Sequence, residues 1–430
     1  MPHEVELLYG REPLRVRLPE GCEPTLVEKP RMPIPEDPLA LINEALEQPI
    51  RSPKLDELAR GASTACILVC DITRPVPNGL FLRPLIERLM AAGVPGGGIT
   101  ILVATGLHRP NEGDELAELI GDNWVLENVS VVNHFARDDE AHVLVGETPR
   151  GTVVRLDRRF VEADLRIATG LVEPHLMAGY SGGRKVIAPG IAHSETITTF
   201  HNHRFMSDPA ATNCNLDGNP LHEELLAIVR MVGGALALNT VIDDRRRLAM
   251  VTFGEIVESH LKAVEFVREY AEVRLGKRFR TVLTSGAGYP LDATYYQTIK
   301  GMVGPLDILA DGGDLIIASE CSEGLGSPEF ASAQRRYVEG GMDAFLADIA
   351  MKSHASIDEW QTQMQARPQS RARITLYSSG LRSDDHVLTG VTMAESVEAA
   401  LAESMARHGD REVAVIPEGP YVIPFSAAGP

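Results

Sequence analysis

The sequence predicts an α/β protein of two domains, each a mostly parallel sheet flanked by helices. Three observations predict it. Short apolar runs, bounded by turn residues, alternate with stretches of helical period. The apolar runs are apolar throughout rather than alternating, as expected of strands covered on both faces. The length, 430 residues, exceeds what one hydrophobic core usually serves.

The elements follow in order. "ACILVC" (Ala65–Cys70) reads as a buried strand, and Gly79–Gly93 as a helix whose start Pro84 shifts. "ITILVAT" (Ile99–Thr105) is the next strand, and Asn111–Gly121 the next helix. "VSVVNH" and "ADLRIATG" continue the series. A helix at His222–Gly233, a strand "ALALNTVID" and a long amphipathic helix between Gly254 and Gly276 come next. The rhythm then restarts with strands at Thr281–Ser285, near Asp314–Ser319 and at Arg373–Ser378. The boundary is placed there, giving domains of residues 1–275 and 276–430. The opening 50 residues, rich in proline and charge, are expected to wrap the surface.

Composition excludes several classes. A formal charge of −19 argues against a general nucleic-acid surface. No run of 18 apolar residues suggests a membrane span, and "MPHEVELLYGREPLRV" lacks the basic-then-apolar order of a signal peptide. A cytoplasmic location is expected. The five cysteines, Cys22, Cys66, Cys70, Cys214 and Cys321, are dispersed and odd in number, as suits reduced thiols. No paired C-x-x-C points to structural zinc.

The informative polar residues fall just after predicted strands, where open parallel sheets bind ligands. "DITRP" puts Asp71 and Arg74 on one loop, and "GLHRP" puts His108 and Arg109 on the next. "LVEPHLMAGYSGGRK" carries His175, the turn Ser181–Gly182–Gly183, Arg184 and Lys185 on a third. The last resembles a phosphate cradle, but Val186 stands where a P-loop needs a hydroxyl. Arg74 suits a carboxylate. Two histidines suit proton exchange near neutral pH. Backbone N–H groups of Ser181–Gly183 suit an anion. "TTFHNHRF" supplies His201 and His203; if helical, they diverge and cannot both ligate one metal. In "GYPLDATYYQTIKG", Pro290 marks a helix start and Gly301 its end, with Gln297 and Lys300 facing one way. Trp360, in a polar segment, is either a stacking platform or a half-buried anchor. Together these describe a site for a small anionic substrate with acid–base chemistry, without naming a reaction.

With these stretches in view, the chain resembles the nickel-pincer lactate racemase family over nearly its whole length. The resemblance rests on "DITRP", "GLHRP", "HLMAGYSGGRKVIAPGIA", the following His201, "TSGAGYPLD" with "YYQTIKG", and "EWQ" around Trp360. It implies a racemase or epimerase acting at C2 of a 2-hydroxy acid, with the active site in the inter-domain cleft. The implied cofactor is a nickel-pincer nucleotide, a pyridinium-3,5-bisthiocarboxylic acid mononucleotide nickel complex, joined to Lys185. His201 would complete a square-planar nickel set. His108 and His175 would be the acid/base pair. Arg74, Gln297 and Lys300 would hold the substrate carboxylate, and Tyr295 would line the pocket. Asp71 would orient Arg74 or contact the cofactor ribose, Trp360 would pack against the pincer ring, and Ser181, Gly182 and Gly183 would serve the phosphate. Arg184 departs from the proline expected in the lactate enzyme and leaves the substrate open.

The implied partners are a 2-hydroxy acid and, transiently, the enzymes that make the cofactor; self-association is possible. Two rivals were weighed. A nicotinamide-dependent dehydrogenase would need a G-x-G-x-x-G after an early strand, and "GVPGGGIT" follows a helix instead. A cofactor-binding homologue without activity is disfavoured because each family position is filled by a competent residue.

Overall fold

The computed structural model describes residues 4–426. The chain forms two compact units, and neither is one continuous stretch. The first is built from Arg31–Phe200 and Asn215–Glu269. The second takes residues up to Pro30, the insert His201–Cys214, and everything from Tyr270 onward. A single division at residue 276 therefore differs from this grouping chiefly in the opening 30 residues and the 201–214 insert.

The first unit holds a six-stranded sheet in the order Leu248–Glu255, Leu236–Ile242, Leu165–Leu171, Ala65–Cys70, Ile99–Ala104, Ser130–Asn133. All neighbours run parallel except the antiparallel edge pair Leu236–Ile242 with Leu248–Glu255. Ile67, Val69, Ile101, Val103 and Ile167 are fully or almost fully buried, which is why these runs are apolar on both faces. Helix Asn78–Ala91 covers the sheet with Phe81, Leu82, Leu85, Ile86 and Leu89, and carries Pro84 inside it rather than starting there.

From the central strand Ala65–Cys70 the chain first builds outward through Ile99–Ala104 and Ser130–Asn133. It then returns to the other side of Ala65–Cys70 with Leu165–Leu171. The strand order thus reverses between Ala65–Cys70 and Leu165–Leu171. Loops leaving the carboxyl ends at such a reversal diverge and open a ligand crevice.

The second unit repeats the plan with a wholly parallel sheet. Its order is Thr392–Met393, Arg373–Tyr377, Leu309–Ala318, Phe279–Ser285, Glu412–Ile416, Glu23–Leu26. The opening residues do not wrap the surface. Glu23–Leu26 pairs with Glu412–Ile416 as an edge strand, and the hairpin Glu4–Leu7 with Leu14–Arg17 buries Val5, Leu7 and Val16 in this unit's core. Alternation of apolar and charged residues in "EVEL" and "LRVR" gives strands with one buried face, a period-two pattern masked by the charge content.

Among the described residues no helix is long and apolar enough to cross a membrane. Cys66, Cys70, Cys214, Cys321 and Cys22 are all unbridged.

Candidate active site

Three adjacent strands of the first unit aim their loops at one rim. The loop after Ala65–Cys70 begins with Asp71, whose carboxylate is buried. Its Oδ1 accepts from the Thr73 amide at 3.1 Å and the Thr73 hydroxyl at 2.5 Å. Its Oδ2 lies 2.5 Å from Nδ1 of His108, which the next strand's loop delivers. Burial alone would raise the Asp71 carboxyl. The hydrogen bonds from His108 and Thr73, with the charges of His108 and Arg74, outweigh it and hold the group below its ordinary value. An ionised Asp71 keeps the proton on Nδ1 of His108 and leaves Nε2 as the exchangeable nitrogen. The imidazole is half exposed while its partner is almost fully enclosed. Asp71 therefore orients His108, a pairing the sequence did not suggest. Arg74 makes a loose pair with Glu173, Nε to Oε1 at 3.9 Å.

The third loop folds back as the short hairpin of Pro174–His175 with Gly179–Tyr180. Nδ1 of His175 accepts from the amides of Ala178 at 3.2 Å and Met177 at 3.4 Å. Its Nε2 is thereby the nitrogen left for proton exchange.

The Ser181–Gly183 turn is not a phosphate cradle. Its amides at Ser181 and Gly183 are spent on the Glu173 carbonyl at 2.9 Å and the Asn239 carboxamide at 3.0 Å. The Ser181 hydroxyl donates to the Leu171 carbonyl at 2.8 Å. The glycines answer to packing: Gly182 has φ +79°, and a Cβ there would stand 2.7 Å from Val172 Cγ2. The turn seats one helical turn, Arg184–Ile187, against the strands Ala65–Cys70 and Leu165–Leu171. Those are the two strands between which the order reverses.

Lys185 is carried there, half-buried. Among the described residues no acceptor is hydrogen-bonded to its Nζ, and burial and the charges of Arg184 and Arg74 lower the ammonium to about 7, with Cys70 opposing. Such an amine is in large part an uncharged nucleophile near neutral pH.

The second unit holds the rest. His201 follows helix Ser194–Phe200, buried, and its ring lies 4.8 Å from that of Trp360. His203 opens a separate short helix, His203–Met206. The insert is tied down by Asn202, whose Nδ2 donates to the Ser353 carbonyl at 2.7 Å. Arg367 adds donors to the carbonyls of Met206 at 2.5 Å, Ala211 at 2.8 Å and Asp208 at 3.0 Å. Trp360, on helix Glu359–Gln369, is buried, its ring tilted 42° to that of His201, and its Nε1 lies 3.3 Å from the Tyr296 hydroxyl.

Helix Tyr295–Val303 starts later than Pro290 suggested, with Thr294 as its cap, and runs through Gly301. Gln297 and Lys300 share one side of it. Oε1 of Gln297 is buried without a hydrogen-bond partner, an unfilled polar position. Tyr295 does not line a pocket. It is fully buried against Phe330, and its hydroxyl donates to the Thr389 carbonyl at 2.7 Å. The tyrosine beside Trp360 is Tyr296, one residue further on. A hundred-degree step per helical residue separates the two, so "YY" alone does not say which faces inward.

Sequence comparison places this architecture. A profile of the lactate racemase N-terminal domain matches residues 9–213, and one of the lactate racemase C-terminal domain matches residues 277–424. The lactate racemase of Thermoanaerobacterium thermosaccharolyticum is 33% identical over 427 residues, covering 97% of this chain and 98% of that protein. This chain belongs to the lactate racemase family. Membership makes it an isomerase. The lactate racemase of Lactiplantibacillus plantarum is 32% identical over 385 residues, 89% of this chain and 90% of that one. The solved structure of the Thermoanaerobacterium lactate racemase apoprotein superposes with a TM-score of 0.90 at 31% identity, over 98% of this chain and 99% of that one. A Thermotoga maritima crystal structure shares the fold, with a TM-score of 0.67 at 18% identity.

Each unit thus gathers its own members of the set read from sequence. Asp71, Arg74, His108, His175 and Lys185 lie in the first, and His201, Gln297, Lys300 and Trp360 in the second. Sequence reading missed Arg367 and His260. Both are distant in sequence from the residues they serve and carried no motif.

Proposed function

We propose that this family member interconverts the two hands of a small 2-hydroxy acid at C2, with lactate the first candidate. The observation that carries the reading is Lys185: an amine near its neutral form, without a counter-ion among the described residues. It sits at the strand reversal beside the loop carrying the Asp71–His108 pair.

The residues present fit a tethered nickel-pincer nucleotide. Lys185 offers a nucleophilic amine for an amide-type link. His201 offers a single imidazole with the Trp360 ring packed against it. Among the described residues no three His, Cys, Asp or Glu side chains converge as a metal cage, so a metal at His201 would take its other ligands from the cofactor. When bound, this group supplies the acceptor and donor for the C2 hydride. The chain supplies everything else. Nε2 of His108 takes the hydroxyl proton, and the Asp71 carboxylate stabilises the imidazolium that results. We assign His175 the matching role for the opposite enantiomer. At rest the two differ, since His108 is set to accept and His175, with Nδ1 capped by amides, to donate from Nε2. Arg74 provides a guanidinium for the carboxylate, and Gln297 and Lys300 an amide and an ammonium. The reading requires both sets to serve one substrate.

Protein purified from cells that make the cofactor tests this directly. Expected are one nickel per chain, a covalent mass increase absent in Lys185→Ala, and racemisation within a panel of chiral lactate, malate, phenyllactate and an aldonate. A C2 deuteron should be retained in the product. A deuteron lost to solvent, or product formation only with free nicotinamide nucleotide, refutes the mechanism.

A further inference from the structure

We propose that Arg184 is a positioning residue for both Lys185 and His175, acting through the Ala178–Ser181 backbone and through its own unneutralised charge. The proposal rests on the reading of Lys185 as the attachment amine and goes beyond it by naming what prepares that amine.

The first observation is burial without compensation. Arg184 is 2% exposed, and among the described residues it has no carboxylate partner. Isolated buried cations are costly, so one that persists is held by other groups or serves a purpose. Here Nη2 donates to the carbonyls of Ala178 at 3.0 Å and Tyr180 at 3.2 Å, and Nη1 lies 3.0 Å from Nε2 of His260. That same His260 Nε2 is 2.7 Å from the Ser181 carbonyl. Nε of Arg184 is left without a partner. A guanidinium held on two carbonyls and beside an imidazole that reaches a third is a clamp on this stretch of chain, with its charge left over.

The second observation is what the clamped stretch carries. Ala178, whose carbonyl accepts from Arg184, gives its own N–H to Nδ1 of His175. One residue therefore stands between Arg184 and the candidate catalytic imidazole. On the other side Arg184 adjoins Lys185 in the same helical turn. The titratable groups acting on Lys185 are the charged Arg184 on its own turn and Arg74 from the loop after the strand Ala65–Cys70, with the Cys70 thiol at the end of that strand, which burial pushes up to about 12. From the strand Leu165–Leu171 the one charged group, Arg166, ends on the Val232 carbonyl. From the helices Pro220–Met231 and Ile256–Ala271, His222 and His260 face Arg184. Burial first and Arg184 second push both down, His222 to about 3. Both are held neutral and bring no negative charge to Arg184, whose field falls on Lys185. Like charges nearby disfavour the ammonium and leave the free amine.

The test needs no cofactor. Apoprotein from cells lacking the cofactor pathway is labelled with trace acetic anhydride across pH 5–11, and acetylation at Lys185 is read by peptide mass spectrometry. The wild-type midpoint is expected near 7. Arg184→Gln keeps an N–H donor for the carbonyls and removes the charge; it should raise the midpoint and lower labelling at neutral pH by about tenfold. Arg184→Lys keeps the charge and should preserve the midpoint. Its loss of the two-carbonyl clamp should shift the 15N resonances of His175, which report whether Nδ1 still accepts from the backbone. Each variant is checked for cooperative thermal unfolding. An unchanged Lys185 midpoint in folded Arg184→Gln overturns the charge role, and unchanged His175 resonances in Arg184→Lys overturn the clamp. If Arg184→Gln does not fold, Arg184→Lys and His260→Gln carry the test. A wild-type midpoint near 10 refutes the proposal outright. A failed cofactor reading would show elsewhere, as absence of a Lys185 adduct in cofactor-making cells.

Discussion

Replacing Asp71 with Asn isolates the carboxylate's effect on His108. Asn preserves shape and can still accept from Thr73, so the fold should survive. What changes is the 2.5 Å contact to Nδ1 of His108. A carboxylate accepts only, which places the imidazole proton on Nδ1. A carboxamide can turn its NH2 toward the ring, moving the proton to Nε2 and removing the base. General base catalysis is worth about 100- to 10,000-fold, and the loss should fall in that range because the whole base function is at stake. The stability cost is smaller. A hydrogen bond to a charged group is worth about 1.5–3 kcal/mol, and part of it survives in the amide. Asp71 is held below its ordinary pKa in the folded protein. Its stabilising effect is therefore present above the carboxyl's unfolded value and lost as pH falls through the folded one. Asp71→Asn should flatten that part of the acid-unfolding curve. The assay is racemisation from each enantiomer followed by circular dichroism. Enantiomers have equal free energy, so kcat/KM must fall by the same factor in both directions, whichever hand His108 serves. Activity within threefold of wild type in folded Asp71→Asn would refute the dyad.

Three further outcomes follow from the second unit. Arg367→Met removes three carbonyl contacts that hold the 201–214 insert, so nickel retention during dialysis should fall severalfold while Lys185 remains modified by mass; equal retention of both would refute the anchoring role. Tyr295→Phe and Tyr296→Phe should separate cleanly. The first removes one of the two donors to the buried Thr389 carbonyl, which keeps Gln365 Nε2, and costs about 0.5–1.5 kcal/mol in denaturant unfolding with little effect on rate, and the second leaves stability unchanged but lowers activity. Gln297→Leu should raise KM about tenfold or more while holding or improving stability. It removes a buried oxygen that no protein group satisfies, and a stability loss above 2 kcal/mol would contradict the unfilled position.

The sheets of both units were legible because parallel strands buried on both faces are uniformly apolar. "ACILVC" and "ITILVAT" can hardly be anything else once flanked by helical periods, and the structure has them at Ala65–Cys70 and Ile99–Ala104. The opening segment was not legible. Its strands bury one face only, and its pairing partner, Glu412–Ile416, lies nearly 400 residues away, beyond any local pattern. Helix limits erred where proline was read as a start and glycine as a stop: Pro84 and Gly301 both lie inside helices, because the packing of neighbouring side chains outweighs the lost hydrogen bond or the added chain freedom.

The candidate site divides along the same line. Residue identity was readable where chemistry and local order coincide, as in the three loops after three adjacent strands. What joins to what was not. Asp71 and Arg74 are three apart and invite pairing, yet the carboxylate reaches His108, 37 residues on. The two loops leave neighbouring parallel strands in register, Cys70 beside Ala104, and this brings their ends together. The Ser181–Gly183 turn misled for the opposite reason. Glycines there look like an invitation to a phosphate, but a Cβ at Gly182 or Gly183 would press on Val172 or His260, and the amides already serve Glu173 and Asn239. Close packing of a lysine-bearing turn and cradling of an anion call for the same residues. Only the destination of the N–H groups tells them apart, and here it assigns the turn to holding Lys185 in place.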